Sequence, residues 1–439
     1  MPDGPYHCCG SHCRGHERKV QLPLQSLEQC SVCLKTSQEL KLCSFCGESA
    51  YCSTECQTKD WANHRKICGK HKTTDRISLD LFHPFLCVLA ECNRLRVPSH
   101  PALQHKIMNN PRPYLAATTF PDGSSAKLII LGEPVVANSE EWWPTAKTPK
   151  ISAKLERRFI RDGNLLPIVT SIVVALLSEM YTTPYTDRHS LPRTRLSYKS
   201  SPIADFGIVK GKASVVCQDT FAFWNTTTDR FWFGQDPQDH YWIYFKTLKG
   251  ESLILDVGMF TFNMCMSVMS GPYIQPNSTM PRILPFVPCV FCDREKRRGT
   301  PIMHEELARA SVLHDPDLQR FAEEGTSQVS VKHCSAVYQF MERFAARPLT
   351  AQEKTYTAHW ISDNSQWTRL ALYWRRWVSW PSEPFMAIEQ DPGETDGAQP
   401  PPEDPWWRYM EKKNKKFSQG KIDMGQLRKA FLKRNNTSR

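Results

Sequence analysis

Residues 30–68 read CSVCLKTSQELKLCSFCGESAYCSTECQTKDWANHRKIC, and this stretch decides how the amino-terminal part of the chain folds. Eight metal-binding side chains lie in it as four pairs: Cys30 and Cys33, Cys43 and Cys46, Cys52 and Cys56, His64 and Cys68. Zn²⁺ prefers thiolate and imidazole ligands, and a two-residue gap lets both sulfurs of a pair reach one ion at about 2.3 Å. Ca²⁺ and Mg²⁺ prefer oxygen. The pattern therefore predicts two zinc sites with four ligands each.

The short length of this segment gives the metal a structural role. Apolar burial stabilises so short a chain poorly, so zinc is expected to supply folding free energy on the order of 10 kcal/mol per ion. The last two pairs have a spacing of four residues, which places both members on one face of a helix, and Ser53 is suited to cap the helix that carries Cys56. Four protein ligands leave no open coordination position, so a catalytic zinc is not expected. Chelation should unfold the segment.

The segment resembles a MYND-type zinc finger at every ligand position, and also in Tyr51, Gln57 and Trp61. The resemblance implies interleaved pairing, with one ion held by Cys30, Cys33, Cys52 and Cys56 and the other by Cys43, Cys46, His64 and Cys68. It also implies a surface that binds short, often proline-containing peptides, with Gln57 and Trp61 in the groove. The alternative for Trp61 is that its ring fills the finger's own small core.

The larger remainder of the chain has a second resemblance. Residues 100–113, which begin His-Pro-Ala-Leu, and residues 234–264, which begin Gly-Gln-Asp-Pro, are similar to uncharacterised MYND-finger proteins of mushroom-forming fungi. The similarity covers most of residues 1–380 and implies a shared fold without a known activity.

The 439 residues are expected to form five parts. These are a flexible Cys/His-rich segment (1–29), the finger (30–68), a mixed α+β domain (71–382), a disordered acidic, proline-rich linker (383–405) and a basic tail (406–439). In the α+β domain, helical patterns cover 80–93, 165–181, 305–323, 332–346 and 351–380. Residues 215–262 predict an antiparallel meander. The tryptophans of 351–380 are expected to seal a core.

Charge is concentrated in the tail. Of the net +11, residues 408–439 contribute +9, from eleven basic residues against Glu411 and Asp423. The cluster Lys412-Lys413-Asn414-Lys415-Lys416 predicts nuclear import, and the tail could contact nucleic acid or an acidic partner. The first 20 residues lack the apolar run of a secretory signal, and no apolar run is long enough to span a bilayer. An intracellular, nuclear or nucleocytoplasmic protein is therefore expected.

Two further groups of cysteines are weaker metal candidates. The tract Cys8, Cys9, His12, Cys13 and His16 could hold a third ion or bind metal adventitiously. Cys289 and Cys292 form an isolated pair, with His304, His333 and Cys334 as conceivable partners.

An enzyme is the second class of function considered. Cys217, His240 and Asp256 keep the residue order of transglutaminase-like thiol enzymes and suggest a thiol hydrolase or acyl transferase. A predicted strand around Cys217 gives no helix N-terminus to lower the thiol pKa, and His240 is expected to bind Asp236 or Asp239. The signature of a lysine methyltransferase is absent from the sequence. The prediction is therefore a non-enzymatic, zinc-stabilised protein-interaction module, with a role in transcriptional regulation.

Overall fold

The computed structural model describes residues 18–389, together with isolated residues between 409 and 430. Within 18–389 it leaves out 37–38, 44–46, 69–74, 110–116, 121–122, 137–138, 147, 185–193, 216–217, 277–278, 294–302 and 326–332. The tract Cys8–His16 lies outside the described residues, as does nearly all of 390–439.

Seven helices lie in the described part: α1 (Thr54–Ile67), α2 (Leu79–Arg94), α3 (Pro149–Ile160), α4 (Leu165–Met180), α5 (Pro316–Glu324), α6 (Ser335–Ala345) and α7 (Ala351–Tyr373). The strands are β1 (Arg18–Val20), β2 (Lys41–Leu42), β3 (Ala50–Tyr51), β4 (Asp75–Ser78), β5 (His105–Ile107), β6 (Thr118–Thr119), β7 (Ser125–Pro134), β8 (Thr182–Pro184), β9 (Thr194–Tyr198), β10 (Ser201–Ala213), β11 (Phe221–Asn225), β12 (Arg230–Phe233), β13 (His240–Thr247), β14 (Ser252–Asp256), β15 (Met266–Met269), β16 (Phe286–Pro288), β17 (Val290–Cys292), β18 (His304–Ser311) and β19 (Met386–Ile388).

The strands form two larger sheets and three small ones. The seven-stranded sheet has the order β17-β14-β13-β10-β9-β4, and β18 also pairs with β10. The five-stranded sheet has the order β12-β11-β7-β5, with β6 on β7. The small sheets are β16-β15-β19, β1-β8 and the β2-β3 hairpin of the finger. This arrangement of sheets and helices confirms the predicted finger followed by a large mixed α+β region.

Helix α4 is the centre of the main core. Nearly all of its residues are buried, and it contacts α7, α5 and the strands β10 and β13. Such all-round burial explains a sequence that is almost continuously apolar, without an amphipathic stripe. No single helix among the described residues has the length and apolarity to cross a membrane; α3 and α4 satisfy that test only as a pair, bent by 65°.

The predicted helices are largely confirmed, with one clear error. Residues 80–93 and 165–181 correspond to α2 and α4, and 332–346 corresponds to α6. The helical pattern over 305–323 is wrong in its first half, because His304–Ser311 is strand β18 and α5 begins only at Pro316. Most residues of β18 are exposed, so the strand has no buried face to produce the alternation that identifies strands.

The predicted meander is divided between two sheets. Strands β11 and β12 form a hairpin in the five-stranded sheet, where β11 also runs parallel to β7. Strands β13 and β14 form a hairpin in the seven-stranded sheet. Local pattern identified the strands, but the parallel partner β7 lies far away in sequence.

Three other expectations need correction. Trp360 and Trp367 are buried in the core, but Trp374 is 57% exposed because α7 ends at Tyr373. The expected linker begins with ordered residues, since β19 pairs with β15. The expected flexible amino-terminal segment contains β1, which pairs with β8.

Candidate metal centre

The first metal cluster contains Cys30, Cys33, Cys52 and Cys56, whose sulfurs all lie within 4.8 Å of one another. The Cys33 and Cys52 sulfurs are 3.5 Å apart, and those of Cys52 and Cys56 are 3.6 Å apart. Sulfurs bound tetrahedrally to one zinc ion at about 2.3 Å are separated by roughly 3.8 Å. The cluster therefore has the size of a zinc cage, and its members are those that the interleaved pairing requires.

The thiols of this cluster do not ionise equally. Burial raises the pKa of Cys30, but hydrogen bonds from backbone amides, chiefly that of Cys33, outweigh it and leave the value at about 6. Hydrogen bonds with the Cys33 and Cys56 thiols raise the pKa of Cys52 to about 12. A bound divalent cation would remove this difference between the thiols, because its positive charge lets neighbouring thiols ionise together.

The second cluster contains Cys43, His64 and Cys68, all buried. The Cys43 and Cys68 sulfurs lie 3.8 Å apart, again the separation expected around one zinc ion. The Nδ1 atom of His64 is 3.1 Å from the Ser49 hydroxyl. Donation from Nδ1–H to that hydroxyl leaves the Nε2 lone pair for the metal. Cys46, the predicted fourth ligand, lies outside the described residues.

Matching turns and a capped helix position the ligands. The backbone N–H of Leu34 donates to the Cys30 carbonyl at 3.0 Å, and that of Gly47 donates to the Cys43 carbonyl at 2.9 Å. Leu34 and Gly47 both adopt positive φ, which lets the chain reverse after each first cysteine. The Ser53 hydroxyl caps α1 by accepting from the Cys56 backbone N–H, as its place in the sequence predicts.

The surface of the finger differs from its interior. Tyr51 is 2% exposed and is the aromatic residue of the finger's small core, where its hydroxyl donates to Asp60. Trp61 is 43% exposed, so it does not fill that core. Gln57, one helical turn before Trp61 on α1, is half-buried. The two residues thus lie near one another on the same side of the helix.

The isolated pair Cys289 and Cys292 cannot share an ion. Cys289 belongs to the main core, whereas Cys292 belongs to a cluster on the other face of the seven-stranded sheet. Successive side chains of a strand point to opposite faces, which the two-residue gap alone does not reveal. Of its conceivable partners, His304 instead contacts Asp256.

Two members of the considered thiol triad are in contact. His240 Nε2 lies 2.6 Å from Asp256 Oδ2, and the expected contact with Asp236 or Asp239 is not the one that forms. The other ring nitrogen, Nδ1, is 3.1 Å from the Gln235 amide. Both ring nitrogens of His240 are therefore engaged by residues other than Cys217, which lies outside the described residues.

These ligand sets and this geometry define a small finger with two interleaved zinc sites. Residues 30–68 match the family model described as the MYND finger. The chain thus carries a MYND zinc finger over residues 30–68, as the spacing of its cysteines indicates.

Two relatives from Caenorhabditis elegans are similar to short parts of the chain. SET domain-containing protein 14 is 37% identical over 65 residues, which is 15% of either protein. Hypoxia-inducible factor prolyl hydroxylase is 42% identical over 55 residues, 12% of this chain and 8% of the relative. The matches therefore span only a small part of either relative. No solved structure is significantly similar to this chain.

Proposed function

We propose that this protein is a non-enzymatic adaptor whose finger binds a proline-containing peptide of a partner protein through Gln57 and Trp61. The observation that carries the proposal is the exposure of Trp61, 43% in a finger whose core is already filled by Tyr51. An indole is large and apolar and has one N–H donor, so it suits a proline ring and its neighbouring carbonyl. The adjacent Gln57 amide can hydrogen-bond the peptide backbone.

The rigidity of α1 supports this proposal. The helix carries zinc ligands near its start at Cys56 and near its end at His64, and its first turn is capped by Ser53. The backbone of a helix fixed at both ends does not have to be ordered when a peptide binds, which lowers the entropic cost of binding. We also propose that the protein acts in the nucleus, because the tail contains the basic cluster Lys412–Lys416, and that its adaptor role there is in transcriptional regulation.

Peptide binding by the full chain tests the proposal. A panel of fluorescent proline-containing peptides, each paired with a version in which alanine replaces proline, would be titrated with wild type, Trp61→Ala and Gln57→Ala. We expect proline-dependent binding that weakens at least about tenfold in Trp61→Ala, about 1.4 kcal/mol or more. Lys59→Ala, an exposed position on the same helix, is the control and should bind as wild type does. Zinc content should be equal in all variants.

Two results would contradict the proposal. One is the absence of proline-dependent binding across the panel. The other is equal affinity of wild type and Trp61→Ala for the peptides that bind.

A further inference from the structure

Three chemically active side chains converge at one end of the seven-stranded sheet, far in sequence from the finger. His240 begins β13, Asp256 ends β14 and His304 begins β18. His240 Nε2 and His304 Nε2 lie 2.6 and 2.7 Å from the same oxygen, Asp256 Oδ2. Their side chains are 0%, 0% and 3% exposed for His240, Asp256 and His304, respectively. The three ligand atoms therefore form a compact, dry cluster.

The strand order explains how two histidines from separate strands meet. Strands β13 and β18 pair with opposite edges of β10, so β10 lies between them. Opposite His240 the residue of β10 is Gly211, and opposite His304 it is Ala213. A Cβ at Gly211 would lie 2.4 Å from the Trp242 ring, so glycine makes room for this indole, whose ring centroid lies 4.9 Å from that of His304.

The groups around the cluster orient it as the surroundings of a metal site do. Asp256 Oδ1 accepts from the Gly258 backbone N–H at 2.7 Å, which leaves Oδ2 for the cluster. The Gln235 amide nitrogen is 3.1 Å from His240 Nδ1, while its buried oxygen, Oε1, has no hydrogen-bond partner. A 180° flip of the Gln235 side-chain amide exchanges its nitrogen and oxygen. Oε1 then accepts a hydrogen bond from Nδ1–H of His240. That tautomer of His240 presents the Nε2 lone pair to an ion.

Charge also favours a cation in the cluster. Asp256 is fully buried, and in the described part of the chain its ion-pair partners are the two histidines, with no lysine or arginine. A buried carboxylate costs several kcal/mol unless a positive charge compensates it, and imidazoles in the neutral form that binds metal supply none. A divalent ion bound to Oδ2 would supply that charge.

We propose that His240, Asp256 and His304 form a third metal site, for a divalent first-row transition ion with Zn²⁺ as the first candidate. Two imidazole nitrogens and one carboxylate oxygen are a typical ligand set for such ions. A tetrahedral ion with bonds of about 2.1 Å needs ligand atoms roughly 3.4 Å apart, so each imidazole must move outward by less than ~1 Å. Unlike the finger's sites, this one leaves the fourth position to water or another donor atom.

Metal content of the 439-residue chain tests this site. Wild type, His304→Gln and Asp256→Asn would be purified reduced, loaded with Zn²⁺, freed of loosely bound ions and analysed by elemental mass spectrometry. Glutamine can still donate a hydrogen bond to Asp256 but is a poor zinc ligand. We expect both variants to hold one ion fewer per chain than wild type. His333→Gln is the matched control, because His333 pairs with Glu324 outside the cluster, and should hold as many ions as wild type.

A second variant keeps the test decisive if substitutions in the cluster unfold the α+β domain. Cys52→Ala together with Cys68→Ala disables both finger sites and leaves the cluster intact. X-ray absorption of the Zn²⁺ that remains should show nitrogen and oxygen neighbours and no sulfur, which separates this ion from any held by the amino-terminal cysteines. The proposal is overturned if no such ion remains, or if folded His304→Gln and Asp256→Asn hold as much zinc as wild type.

Discussion

The guanidinium of Arg195 contacts the carboxylate of Glu48 at the junction between the finger and the α+β domain that follows it, which is called the body below. The Nε and Oε1 atoms are 2.7 Å apart. Their side chains are 4% and 12% exposed. Arg195 also donates to the Gln21 carbonyl and lies over the Tyr181 ring. One side chain thus links the finger, the segment before it and the end of α4, so the finger is fixed to the body by a buried ion pair.

Replacing Arg195 with alanine should destabilise the whole chain. The variant removes a buried guanidinium that contacts Glu48, the Gln21 carbonyl and the Tyr181 ring, so the free energy of unfolding should fall by about 3–5 kcal/mol. Chemical denaturation followed by circular dichroism measures this loss. Arg320→Ala is the control, because Arg320 is 73% exposed and its pair with Asp317 should contribute less than ~1 kcal/mol. Equal losses in the two variants would show that the junction adds little stability.

A second buried ion network should be as sensitive to substitution as the pair of Arg195 and Glu48. Glu91 accepts from Arg161 through both carboxylate oxygens, at 2.8 and 3.2 Å, and Arg94 lies 3.5 Å away. All three residues are buried. Glu91→Gln keeps the shape but leaves two buried guanidinium groups without a counter-charge, so unfolding should become easier by about 3–5 kcal/mol.

The matched control for Glu91 is Glu306→Gln, which removes an exposed partner of Arg309. It should change the free energy of unfolding, measured in denaturant, by less than ~1 kcal/mol. If Glu91→Gln changed the free energy of unfolding as little as this control, Arg94 and Arg161 would need another source of negative charge.

The fold of the finger could be predicted from the sequence because metal binding fixes the residue types and their spacing over a short stretch of chain. Cys30, Cys33, Cys52 and Cys56 have to be thiols at fixed intervals to hold an ion, and those intervals are visible in the chain. Ser49 and Arg195 gave no such signal. Serine near a ligand and arginine in a strand are common, and their roles depend on contacts that only the folded chain brings about.

The body was harder to read because its pairings are non-local. Strand β18 pairs with β10 about 100 residues earlier, and its exposed sequence resembles a helix. The sequence order of His240 and Asp256 suggests a thiol triad, whereas His304 is a conceivable partner of Cys289 and Cys292. No short-range pattern indicates that β10 brings its two neighbouring strands, and therefore the two histidines, to one carboxylate.

Substitution of Ser49 tests the second zinc site without replacing a ligand. Its hydroxyl fixes the ring orientation and tautomer of His64, so Ser49→Ala should weaken zinc binding about 10- to 100-fold at this site alone. Competition between the 439-residue chain and a chromophoric chelator should resolve the weakened site from the stronger one. Ser31→Ala is the control; the Ser31 hydroxyl accepts from the Ala50 backbone, and both affinities should stay as in wild type. Equal weakening of both sites in Ser49→Ala would indicate a general loosening of the finger, and unchanged affinities would show that His64 is held without Ser49.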